Sequence, residues 1–365
     1  MSFYRDLVSH FSGLDMIPFT NHYLEYQSSD KKCPSPVTMQ EVHQRTVDIL
    51  KSFESFQNFD INRNDEEDMF LLPQDLVYRD IVSDILETGE LQENRTGINT
   101  LYKIGKYWEL DTSPEMFPIL TTKRVFWKSA FSEMLGFLRG YSSAADFRKL
   151  GCNVWDANAN ENQEWLNNPN RKGTDDLGRV YGVQWRDWKR GKMFAYVDQI
   201  NNVITDLSKG IDNRREIVTA WNPGELDQMA LPPCHMTMIF SLVEDKTKVD
   251  LFLLLRSSDT GLGLPYNMIQ YAFLLNLIAM ITKKNPGTLR IYANNIHIYE
   301  NHLDALKEQL TRNSSLDESD AYPVLILNDD IDIGVISPSS DMTLSDIASV
   351  EFYNPHPPIK MEMAV

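Results

Sequence analysis

Val249-Asp250-Leu251-Phe252-Leu253-Leu254-Leu255 runs directly into Arg256-Ser257-Ser258-Asp259-Thr260-Gly261-Leu262-Gly263-Leu264-Pro265-Tyr266-Asn267, and from Asn267 to Ile281 the chain is apolar nearly all round. The first run has the near-continuous apolar character of a buried strand. The last lacks a polar face, so it reads as a helix enclosed by a core. Together with the segments around them they predict a compact α+β domain beginning near residue 73. Val125 to Gly140 carries a broad apolar helical face (Phe126, Phe131, Met134, Leu135, Leu138), with Gly140 as its stop. Arg215 to Trp221 and Met236 to Val243 read as strands, Leu303, Leu306 and Leu310 mark an amphipathic helix, and Asn313 to Asp320 a polar loop.

Residues 1–72 differ. They are polar and rich in Asn, Asp and Ser, and they end near the acidic run Asp65-Glu66-Glu67-Asp68. They are expected to be a partly ordered extension ahead of a single domain over residues 73–365. The chain of 365 residues is 42% hydrophobic and 24% charged, the balance of an ordinary globular protein. Its net charge of −17 disfavours nucleic acid as a partner, although arginines gathered in one pocket would still bind a small phosphate. Cys33, Cys152 and Cys234 are too few and too irregularly spaced for a disulfide framework or a zinc site, so no metal and a reducing, cytoplasmic setting are expected. The N-terminal stretch lacks the pattern of a signal peptide, and the longest apolar run, Ala272 to Ile281, is too short to span a bilayer.

Three segments carry chemistry. In Leu231-Pro232-Pro233-Cys234-His235 two prolines stiffen the approach to a cysteine, and Arg214-Arg215 precede a strand that could run beside it. A cysteine alone is more often a small buried hydrophobe. Arg256 to Asn267 offers an arginine, a serine and a glycine-rich turn to an anion, or simply a strand, a loop and a helix capped by Asn267. His297-Ile298-Tyr299 alternates, so His297 and Tyr299 share one face of a strand.

Taken together these segments resemble the thymidylate synthase family, from about Leu76 to Val365. The ordered landmarks are Arg95-Thr96-Gly97, Phe117 to Lys128, Trp155-Asp156-Ala157-Asn158, Val180-Tyr181-Gly182, Gln184-Trp185-Arg186, Ala220-Trp221-Asn222-Pro223, Met229 to His235, Gly261-Leu262-Gly263 with Pro265-Tyr266-Asn267, His297-Ile298-Tyr299, and Tyr353 to Pro357 with the tail Ile359 to Val365. The tail and the Trp-Asp-Ala-Asn segment look like the eukaryotic form. The resemblance implies a large mixed β-sheet with packed helices, one sheet face forming a homodimer interface, and active sites shared between subunits. It implies a reaction of dUMP with 5,10-methylenetetrahydrofolate as co-substrate. Cys234 would attack C6 of the pyrimidine. Glu133 would organise water for proton transfers, with Tyr181, Asn267 and Arg256 completing the catalytic set. Arg95, Arg256 and Ser257 would hold the phosphate, joined by Arg214 and Arg215 from the partner subunit, while His235, Asp259, Asn267, His297 and Tyr299 would contact the nucleoside. Trp155, Asn158, Asp259, Leu262, Gly263 and Tyr266 would line the folate site, closed by Met363 and Ala364.

Several positions depart from the family pattern. Leu255 stands in place of a glutamine, Gly136 of a tryptophan, Arg179 of a proline, Asn295 of an aspartate and Ile296 of a small residue. The first removes a hydrogen-bonding group near the nucleotide. The second is expected to open space near Glu133. Related phage hydroxymethylases, in which water instead of hydride captures the one-carbon unit, carry an apolar residue at the Leu255 position, so a dUMP hydroxymethylase is the alternative activity. Those specific for dCMP carry aspartate where this chain has Asn267. A third reading is an inactive homologue kept as a binding protein.

Overall fold

The computed structural model describes residues 70–365, apart from 95–96, 192–194, 317–320 and 363–365. The proposed extension, with Cys33, therefore lies outside the described residues up to position 69.

The apolar run Val249 to Leu255 and the buried helix after it form the centre of the domain. The strand, β5 (Lys248–Asp259), is followed by a helix, α5 (Gly263–Ile281), and then by β6 (Asn285–Tyr299). β5 and β6 pair in parallel, which requires a crossover, and α5 is that crossover. Fourteen of its residues are buried. By length and composition it could cross a membrane, which the shorter run Ala272 to Ile281 did not suggest, but 78% of its most apolar window is buried in the protein's own core. The remaining strands of this six-stranded sheet are β1 (Glu90–Gln92), β2 (Thr100–Asp111), β3 (Ile217–Thr219) and β4 (His235–Val243). The order is β1-β2-β6-β5-β4-β3, antiparallel except for the central pair, so the sheet is mixed.

One face of this sheet is core: Leu251, Leu253, Leu255, Leu289, Ile291 and Ala293 are fully buried. The alternate residues on the other face, including Phe252, Leu254 and Tyr292, are only half-buried, while Ile104, Tyr107 and Ile217 are exposed.

Four helices flanking the core position the site. α1 (Pro73–Thr88) starts with proline at its first position, where a missing N–H is harmless. Its buried Asp75 accepts hydrogen bonds from Thr121, Thr122 and Ser314. This pins the segment that leads to Lys123, whose Nζ donates to the Gly261 carbonyl at 2.6 Å. α2 (Trp127–Leu138) packs on α5 through the stacked rings of Phe131 and Phe273, 4.1 Å apart. It ends as expected at Gly140, whose φ of 72° and the bonds Gly140 N to Phe137 O and Tyr141 N to Gly136 O complete a helix-stop motif. α3 is Ala144–Lys149 and α4 is Tyr181–Arg186. α4 lies so close to α2 that any side chain at Gly182 would strike the Phe137 backbone. The amphipathic helix, α6, covers Leu303–Leu310.

Boundaries shift by a few residues. The Val125 to Gly140 helix spans Trp127–Leu138, and the strand expected over Arg215 to Trp221 holds only Ile217–Thr219. α5 begins at Gly263, so Asn267 is not its cap and its side chain is released for another task. Residues 313–316 are loop, as expected.

Candidate active site

Cys234 is half-buried at the end of the Pro232-Pro233 approach, one residue before β4. Its backbone N–H donates to the Tyr181 hydroxyl at 2.9 Å, and its carbonyl accepts from the Arg256 N–H at 3.0 Å. The Arg256 side chain turns back on the same loop, with Nε donating to the Pro233 carbonyl and Nη2 to the Pro232 carbonyl, at 3.0 and 3.1 Å. A fixed guanidinium thus lies beside the cysteine loop, where it favours anions. Cys152 is the contrast. It is fully buried, and burial pushes its thiol up to about 12.

Asn267 projects from the first turns of α5 to His235, its Nδ2 2.9 Å from Nε2. An amide nitrogen only donates, so His235 Nε2 accepts and the ring is neutral with its proton on Nδ1. Burial, helped by Arg256, lowers its pKa to about 4, in agreement. Asn267 keeps its oxygen and second N–H for a ligand. His235 makes edge contacts with Tyr181 and Tyr271 at 5.3 and 5.2 Å, and Tyr181 in turn with Trp155 at 5.8 Å.

Glu133, on α2, faces this cluster. Burial raises its carboxyl to about 7, against opposing hydrogen bonding from Gln270 and from the Trp155 indole. A carboxyl titrating near 7 is suited to give and take protons under physiological conditions. Tyr271 OH and His235 Nδ1 are both buried without hydrogen-bond partners. Buried polar groups left unpaired are expensive. Two in one cluster of rings mark a place shaped for a polar guest.

The second half of the site lies at the carboxyl ends of β5 and β6. Ser257 and Asp259 pair in register with Asn295 and His297. The rings of His297 and Tyr299 meet edge-on at 5.1 Å, as their alternation predicted. Asp259 accepts from the backbone N–H groups of Gly261 and Leu262 at 2.9 and 3.3 Å, which shapes the glycine turn leading to Gly263. His302, which the sequence reading missed, joins this turn to the C-terminal segment. Its Nε2 lies 2.7 Å from the Glu362 carbonyl oxygen and its Nδ1 3.8 Å from Asp259. Met361 packs on the core beside it.

The remaining expected residues divide into three groups. Trp155 is buried within the cluster, whereas Asn158 and Tyr266 are half-buried. Arg214 and Arg215 are exposed ahead of edge strand β3. Arg95, Met363 and Ala364 lie outside the described residues.

The departures have physical readings here. Gly136 opens no space, which corrects that expectation, because a Cβ there would lie only 2.3 Å from a ring carbon of Phe147 on α3. Phe147 fills the volume and packs on Phe137 and Trp155 at 5.7 and 6.0 Å. Leu255 is fully buried in the sheet. Arg179 is paired, with Nε donating to Glu225 at 2.6 Å and Nη1 to Asp187 at 3.3 Å. Asn295 keeps a hydrogen-bond acceptor 2.9 Å from His297 Nδ1. Phe147, Gln270 and Tyr271 were missed along with His302. Gln270 alone left a signal, a polar residue inside an apolar helical run.

The family model described as thymidylate synthase matches residues 76–365. A thymidylate synthase of Idiomarina loihiensis is 44% identical over 290 residues, covering 79% of this chain and 99% of that protein. Those of Pseudomonas syringae and Actinobacillus succinogenes are 39% and 43% identical, with the same coverage. These relatives are bacterial and give the eukaryotic likeness no support.

Proposed function

The chain belongs to the thymidylate synthase family, and from that premise we propose that it transfers one carbon from 5,10-methylenetetrahydrofolate to C5 of dUMP, releasing dTMP and dihydrofolate. The observation that carries the chemistry is the grouping of Cys234, Tyr181, His235, Asn267 and Glu133 through one set of hydrogen bonds and ring contacts.

In this reading Cys234 adds as thiolate to C6 of the pyrimidine, and C5 becomes the nucleophile. C5 bonds to the methylene carbon of the co-substrate. The C5 proton leaves through water ordered by Glu133, and tetrahydrofolate departs to give an exocyclic methylene. Hydride from the tetrahydrofolate ring reduces that methylene to methyl, and the Cys234–C6 bond breaks to regenerate the thiolate. The Asn267 oxygen accepts from N3–H and its free N–H donates to O4, a pattern cytosine reverses. Arg256 and Ser257, with Arg95, hold the phosphate. His297 and Tyr299 hold the ribose hydroxyl. Trp155, Asn158, Asp259, Leu262, Gly263 and Tyr266 line the folate side, which Met363 and Ala364 close.

The half-exposed apolar sheet face supports a homodimer in which Arg214 and Arg215 reach the phosphate across the interface. Sedimentation should give twice 42.1 kDa; a fully active monomer at assay concentration would contradict this. The proposal places residues 73–365 in the catalytic domain and the enzyme in the cytoplasm, where its thiol stays reduced. The test is to incubate the purified protein with dUMP and methylenetetrahydrofolate. Dihydrofolate absorbance should rise in step with dUMP consumed. Consumption without dihydrofolate, giving a nucleotide one oxygen heavier than dTMP, would identify a hydroxymethylase instead.

A further inference from the structure

Gln270 lies one turn beyond Asn267 on α5 and is 1% exposed, among buried Met268, Ile269, Tyr271 and Ala272. Its Nε2 is 3.3 Å from the Ala130 carbonyl oxygen and makes a short hydrogen bond to Oε2 of Glu133. A carbonyl oxygen can only accept. The group facing Ala130 is therefore the NH2 end, which settles an amide orientation that shape alone leaves ambiguous. One hydrogen goes to Ala130 and the other to Glu133, three residues further along the same helix.

We propose that Gln270 is the positioning residue of Glu133: its amide hydrogens hold the carboxyl against α2, confine the acidic proton to Oε1, and set the pH at which the site exchanges protons. The proposal rests on the one-carbon-transfer reading of the site. An O–H on Oε2 would point at an N–H that already donates there, so the proton resides on the other oxygen. Donation to the carboxylate favours its charged form, opposing burial. Trp155, the other contributor, is neutral. Among the described residues, the titratable groups whose electrostatics couple to Glu133 are Cys152, Tyr181 and Tyr271. Burial raises all three, so each stays neutral near pH 7 and none supplies a charge that could take the place of Gln270.

A side chain kept only for packing would be replaceable by one of its own shape. Gln270→Met is close to isosteric but donates nothing. Gln270→Glu keeps the shape and puts a second carboxyl against the first, and it preserves the experiment where the methionine variant does not fold. The wild-type enzyme is assayed first; failure to form dTMP there would count against the functional reading and leave Gln270 aside. With dTMP formation established and thermal melts matched, kcat of Gln270→Met should fall roughly tenfold or more, while KM for dUMP stays near the wild-type value. The limb of the kcat–pH profile that Glu133 controls, acidic or basic, should move upward by about one pH unit. In Gln270→Glu the paired carboxyls share a proton and the midpoint should move further in the same direction. A uniform fall in kcat with an unmoved midpoint, or a wild-type profile in either folded variant, would overturn the proposal.

Discussion

β5 and β6 form one parallel ladder whose two halves behave differently. In the first half Leu251, Leu253 and Leu255 lie opposite Leu289, Ile291 and Ala293, all fully buried. In the second, Ser257 and Asp259 lie opposite Asn295 and His297, with Arg256 and Tyr299 alongside. The change from hydrocarbon to hydrogen-bonding groups is completed within two residues of each strand. Because the strands are parallel, their carboxyl ends coincide, and in the function proposed above that is where the nucleotide binds, as in other open sheets with parallel strands. The apolar half is specified by volume and the polar half by chemistry, so substitutions in the two should fail in different ways.

The largest effect is expected beside the polar half. Cys234→Ala should reduce dTMP formation by on the order of a thousandfold or more, since among the described residues the other cysteine, Cys152, is fully buried and cannot form the C6 bond. Its dUMP affinity by calorimetry should be little changed. Near-normal turnover would end the mechanism proposed above. Next comes the apolar half. Leu253→Ala should lower the unfolding free energy by about 2–5 kcal/mol in denaturant titrations, whereas Ser257→Ala should leave stability within about 0.5 kcal/mol and weaken dUMP binding instead. Equal stability losses in both would erase the distinction between the halves. The smallest effect concerns base choice. Asn267→Asp should move the preference from dUMP toward dCMP by about 1–3 kcal/mol for each mismatched contact, read from kcat/KM ratios. An unchanged ratio would remove Asn267 from base recognition.

The apolar half was the more legible in sequence. A continuous run such as Val249 to Leu255 has few ways to satisfy water, so its burial and that of the helix after it were readable directly. The polar half was legible only as a set. Cys234, Asn267 and His297 come from three separate segments, and spacing alone does not say that the first two approach each other through His235. Asn267 illustrates the limit. A polar residue at the edge of an apolar run reads as a cap, until the helix proves to begin four residues earlier and to present it to His235. Gly136 shows another. A missing side chain reads as a cavity, yet Phe147, eleven positions away, occupies it. Gln270 and His302 act on Glu133 and on the Glu362 carbonyl, partners that no local pattern names.

In the proposed mechanism the methylene on C5, in a nucleotide held through C6 by Cys234, is closed off from water and reduced by the pterin itself. The most direct measurement supplies methylenetetrahydrofolate deuterated on its reduced ring and weighs the nucleotide product. dTMP with one deuterium in its methyl group is expected, in equal amount to dihydrofolate. A product free of deuterium and one oxygen heavier than dTMP would contradict it.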